Sequence, residues 1–89
     1  MSKRVIATEK PDLSLPLDLG LLSKLVRHKR SSMGITLENA ASLCGLSKQA
    51  YNNVEKGCGN IRVQTLFIVL EAFGIKLSVL EQEEDDVWV

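Results

Sequence analysis

Residues 36–57 read "TLENAASLCGLSKQAYNNVEKG", and the fold turns on what this stretch is. Thr36 suits a helix N-cap, with Glu38 in the first turn, where the helix dipole favours an acid. Ala40, Ala41, Leu43 and Cys44 form an inward side, and Gly45 suits a helix stop. Leu46 plugs the turn, Ser47 caps a second helix, and Gly57 ends it. In that second helix Tyr51 and Val54 face inward, while Lys48, Gln49, Asn52, Asn53 and Lys56 cover the rest. Amides are poor helix formers, and a surface that needed only solvation would sooner carry Glu and Lys. Two helices joined by so short a Gly-containing turn make a helix-turn-helix. Ala41 is small where the helices cross. The amide flank of the second helix stays free for a major groove, where its N-terminal residues meet base edges.

The flanks extend this reading. Residues 1–16, with Pro11 and Pro16, are expected to be an arm. Its "SKR" is either disordered or a basic extension that reaches DNA. Asp18 caps a helix running to about Arg30, whose buried stripe is Leu21, Leu22, Leu25 and Val26. Lys24, Arg27, His28 and Lys29 stay wet. The run "RHKR", Arg27 to Arg30, reads either as a solvated helix end that suits the dipole or as non-specific attraction for phosphate. After the loop "GCGNI", a fourth helix runs from about Val63 to Phe73 and stops at Gly74. Val63, Leu66, Phe67, Leu70 and Phe73 make one stripe, and Ile68 and Val69 extend it. A helix apolar nearly all round is buried or is a subunit interface; in so small a chain the interface is favoured. "IKLSVLE" then alternates, which predicts a strand at 75–80. Such a lone strand would pair with its copy in a second subunit. The expected fold is all-α, four to five helices over residues 17–74, with that strand and an acidic tail at 81–89.

The chain has 89 residues and zero formal net charge, so one small domain is expected. Neutrality hides an uneven distribution: residues 1–80 hold eleven Lys and Arg against six acids, and residues 81–89 hold five acids and no base. A body of +5 with a tail of −5 leaves room for a phosphate-binding face. Cys44, Cys58 and His28 are too few for zinc, and there is no Cys-x-x-Cys. Cys44 reads as a small core residue and Cys58 as an inert thiol. A disulfide is disfavoured in the cytoplasm, where the lack of a bilayer-length apolar run and of a signal-peptide core places the chain. No nucleophile–His–carboxylate set and no phosphate loop is present, so neither an enzyme nor a cofactor is expected; His28 alone is no catalyst.

The run from Thr36 to Gly57 resembles the Cro and lambda-repressor (Xre-type) helix-turn-helix family. It follows that family's Thr-x-x-x-x-Ala-x-x-x-Gly-Leu-Ser pattern, then an apolar pair and Glu-x-Gly. The resemblance spans about residues 18–74 and implies a lambda-repressor-like DNA-binding domain. By it, Lys48, Gln49 and Asn52 read bases, Gln or Asn suiting adenine and Lys guanine. Ser47 and Asn53 would meet phosphates or flanking bases. It also implies a buried ion pair between Arg30 and Glu55. Two residues depart from the family. Leu37 stands where a Gln often donates to phosphate, leaving only backbone N–H groups there. Tyr51 stands where Ile or Val is usual, and would push the helix outward or send its hydroxyl to phosphate.

The strand-like "IKLSVL" and Trp-tipped polar tail are similar to HipB-type antitoxins. That likeness implies a homodimer that represses its own operon from a palindromic operator and binds a HipA-like kinase toxin. The tail "EQEEDDVWV" is then either a solubilising extension or a docking peptide with Trp88 as anchor. The alternative is a protein-interaction module that kept the fold without DNA binding, which Leu37, the neutral charge and the acidic tail favour.

Overall fold

The computed structural model describes residues 5–58 and 60–81. Four helices follow one another: α1 (Leu19–Ser32), α2 (Leu37–Cys44), α3 (Lys48–Lys56) and α4 (Val63–Ala72). Three begin on a side-chain cap that satisfies an otherwise orphaned backbone N–H. Asp18 accepts from Leu21 N–H at 2.7 Å, Thr36 from Asn39 at 3.2 Å and Ser47 from Ala50 at 3.1 Å. α2 packs on α3, α3 on α1, and α4 closes over α2 and α3. Leu22, Val26, Ala40, Ala41, Tyr51, Val54, Val69, Leu70 and Phe73 form one buried cluster.

Two glycines decide how α3 is seated. Gly45 adopts φ +68° and makes the turn between α2 and α3, with Leu46 N–H returning to Ala41 O at 2.9 Å. Only glycine takes this left-handed conformation without steric cost. Gly57 ends α3 at φ +67°, where a Cβ would lie 3.1 Å from Ser23 Oγ. That hydroxyl is itself committed, donating to Val54 O at 2.6 Å from a position 4 % exposed. Ser23 therefore ties α1 to the last turn of α3, and the missing side chain of Gly57 lets the two approach.

The predicted strand at 75–80 does not form; among the described residues there is no β-strand, and the fold is all-α. Ile75, the first residue of the alternating run, belongs to the end of α4 instead. Its N–H bonds to Leu70 O at 2.9 Å, one residue past Gly74 N–H to Glu71 O at 3.1 Å. This paired closure of a helix end brings an apolar residue back onto the helix, and Ile75 packs against the core. Beyond it the alternation has no buried side to mark: Leu77 is 42 % exposed, Val79 94 % and Leu80 95 %. α4 already covers the core, so the segment finds neither apolar cover nor a backbone ladder.

The apolar faces are also narrower than the sequence suggests. Leu43 of α2 is exposed, and α4 buries Val69, Leu70 and Phe73 while Val63 and Phe67 point outward. The arm, by contrast, is pinned. Thr8 N–H donates to Ser31 Oγ at 2.9 Å, and Thr8 O lies 2.7 Å from His28 Nδ1. Residues 5–11 thus run back along α1 without regular structure. Lys3, Arg4 and Trp88, with all of the acidic tail but Glu81, lie outside the described residues.

Candidate nucleic-acid interface

α3 carries its two buried residues, Tyr51 and Val54, on one side. At about 100° per residue, Lys48, Asn52, Lys56, Gln49 and Asn53 fan over an arc of about 140° on the other. Ser47, Lys48, Gln49 and Lys56 are exposed, and Asn52 and Asn53 are half-buried. The structure therefore brings the five residues singled out for DNA, Ser47, Lys48, Gln49, Asn52 and Asn53, onto one helix and its cap. Lys48 Nζ stands 3.4 Å from Glu38 of α2, an open pair that contributes little to stability. Gln49 Nε2 donates to Asn53 Oδ1 at 3.0 Å.

Behind this arc, α3 is braced by a buried polar cluster. Arg30 Nε meets Glu55 Oε2 at 2.5 Å and Nη2 meets Oε1 at 3.1 Å, with side chains 10 % and 5 % exposed. The third arm of the guanidinium donates to Ile35 O at 2.7 Å. Burial works against the Arg30 charge, yet the hydrogen bonds and charge of Glu55 outweigh it and hold the group protonated above its usual range. Two-point Arg–carboxylate geometry fixes direction as well as distance. The cluster therefore sets the rotation of α3 about its own axis relative to α1.

Tyr51 completes it. The ring is fully buried and lies against Phe73, centroids 6.4 Å apart at 57°. Its hydroxyl donates to Glu55 Oε2 at 2.5 Å. It faces the core and cannot reach a phosphate. Tyr fits where a branched aliphatic is usual because Glu55 receives the one polar atom the larger side chain adds. Burial, then the neighbouring Glu55, push the phenol far above its ordinary range. Tyr51 is the only tyrosine in the chain, which gives a clean test. The unfolded state ionises at about pH 10 while the folded state holds its proton, so stability is full below that pH and falls as pH rises above it. Tyrosinate absorbance should rise only together with alkaline unfolding followed by circular dichroism. A separate ionisation of the folded protein near pH 10 would mean the hydroxyl is solvated.

Leu37 is half-buried and packs against the core, so the start of α2 offers no side-chain donor there. The sequence reading missed a neighbouring surface. Ala50 and Asn53 share a shallow cleft of about 300 Å³ with Asn60, Ile61, Arg62 and Thr65. Arg62 sits at the N-cap of α4 and makes no side-chain cap bond. The signal was present: a base where Ser, Thr or Asp would ordinarily begin a helix. Among the described residues no group of His, Cys, Asp and Glu is placed to hold a metal. Cys44 and Cys58 are both free thiols, and burial raises the pKa of Cys44. No described helix is long and apolar enough to cross a membrane.

A capped helix, a left-handed glycine turn and a second helix with an open polar flank define a helix-turn-helix DNA-binding domain. The family described as helix-turn-helix matches residues 26–80, more than half of the chain, and the protein belongs to it. Domains of this Xre/Cro type bind DNA without catalysing a reaction. No curated protein matches the chain.

Proposed function

We propose that the protein is a sequence-specific transcriptional repressor acting as a homodimer on a palindromic operator. The observation that carries this reading is the open amide and lysine arc of α3, held from behind by Arg30, Glu55 and Tyr51. Lys48, Gln49 and Asn52 read bases, and Ser47 and Asn53 lie against phosphates or flanking bases. Asn60, Arg62 and Lys56 supply further backbone contacts. Positioning by phosphates and selection by bases are separate tasks, and the residue types divide accordingly. Val63 and Phe67 on α4, with Leu77 beyond it, are large apolar side chains left in water. They favour a second copy as partner, which would place two copies of α3 about 34 Å apart in successive major grooves.

Selection of bound duplexes from a random pool by the full chain tests the reading. Gln49→Ala should then weaken binding to the selected duplex by about 1–3 kcal/mol while hardly changing affinity for random DNA. Equal loss on both would show that α3 does not read bases. Sedimentation of the same protein should give a dimer.

The narrower reading makes the protein the antitoxin of a HipA-like kinase module that autoregulates its operon. It rests on residues 81–89, with Trp88 as anchor; the strand that also suggested it is not formed. Co-purification from the native host decides it: a kinase in the eluate supports the pairing, and DNA without a kinase removes it. The other reading, an interaction module without DNA binding, draws on Leu37, which leaves position 37 at the start of α2 without a polar side chain.

A further inference from the structure

The open flank of α3 carries a contact between two of its own amides. Gln49 Nε2 donates to Asn53 Oδ1 at 3.0 Å, one helical turn further on. Asn53 is the firmer of the two. It is half-buried, it lines the cleft beside Asn60 and Arg62, and its carbonyl accepts Cys58 N–H at 3.1 Å in the closure of α3. Gln49 is exposed. The contact therefore holds an exposed amide against a half-buried one.

A primary amide has two N–H donors and one oxygen acceptor. With one N–H given to Asn53, Gln49 retains one donor and its Oε1. Adenine shows the major groove one acceptor, N7, and one donor, N6–H₂; guanine shows two acceptors, N7 and O6. The remaining pair on Gln49 matches adenine. Two donors for guanine are no longer available from the same side chain. We infer that Asn53 is a positioning residue that orients the Gln49 amide and makes it select adenine over guanine. This rests on the base-reading role proposed above for α3, and it gives the adenine preference of Gln49 a positioning residue.

The test uses the full chain and the duplex it selects from a random pool. The base pair read by Gln49 is first located as the position whose substitution no longer matters in Gln49→Ala. At that position A·T is replaced by G·C, and the ratio of the two affinities is measured for each variant. Asn53→Ala should reduce the adenine-over-guanine ratio by about two- to tenfold, because the released Gln49 amide can turn both of its N–H donors to guanine. Asn53→Asp keeps an acceptor at that point. It should weaken binding to both duplexes through charge repulsion and leave the ratio near the wild-type value. A merely structural Asn53 would lower both affinities together, without moving the ratio.

An unchanged ratio in Asn53→Ala, with Gln49→Ala abolishing it, overturns the inference and leaves the base-reading role standing. Loss of the preference in Asn53→Asp as well as in Asn53→Ala also overturns it. If the pool yields no preferred sequence, or Gln49→Ala changes no position, the role of α3 itself fails and the inference falls with it.

Discussion

Replacing Glu55 with alanine is expected to destabilise the domain by about 3–5 kcal/mol, the effect of leaving a buried ion without its partner. Arg30 would lose both bonds to the carboxylate and retain only Ile35 O, in a site where its side chain is 10 % exposed. The Tyr51 hydroxyl, on a residue that is 0 % exposed, would lose its acceptor too. Domains of this size have a total stability of about 5–15 kcal/mol, so a fifth or more would disappear. Urea denaturation followed by circular dichroism measures it. The triple variant Arg30→Met, Glu55→Leu, Tyr51→Phe removes both charges and the hydroxyl at similar volume and should recover most of the loss. A cost below about 1 kcal/mol for Glu55→Ala would place the pair in the class of solvated surface bridges. The brace of α3 would then be apolar contact and the Ser23–Val54 hydrogen bond.

The second large effect concerns salt. A dimer presenting Lys56 and Arg62 from each subunit offers about four cations to phosphate, and each contact releases counterions on binding. Raising salt from about 50 to 200 mM should then weaken binding to the selected duplex by about 10²-fold. Fluorescence anisotropy across that range gives the slope directly. Arg62→Ala should make the slope shallower without altering which duplex is preferred, since it lies at the start of α4 and not on α3. A flat response would remove phosphate from the account and leave the interaction module as the reading.

Much of the motif was legible because its punctuation is chemical and local. Thr36, Ser47 and Asp18 each accept from the backbone N–H three residues on, and Gly45 and Gly57 take a conformation other residues avoid. Such signals need no tertiary information. Which flank of α4 is buried was not legible. Val63, Phe67, Val69 and Leu70 are all apolar, and only the placement of α2 and α3 selects Val69 and Leu70. The run after Gly74 misled for a related reason. Ile75 is apolar because it closes the end of α4, and counting it as the first inward residue of a strand gave an alternation with no face behind it. The Tyr51 hydroxyl needed a partner four residues on, which composition does not announce. The tether of the arm to Ser31 and His28 joins residues twenty or more apart in sequence, beyond any periodic pattern.

The division of α3 into a braced flank and an open flank has a practical consequence. Lys48, Gln49, Asn52 and Lys56 all lie outside the buried cluster, whereas Tyr51 and Val54 lie within it. Combinatorial randomisation of those four positions would vary the preferred duplex while folding stays near its starting value. The same scaffold then serves as a chassis for retargeting, with its inner fork of guanidinium, carboxylate and phenol left untouched.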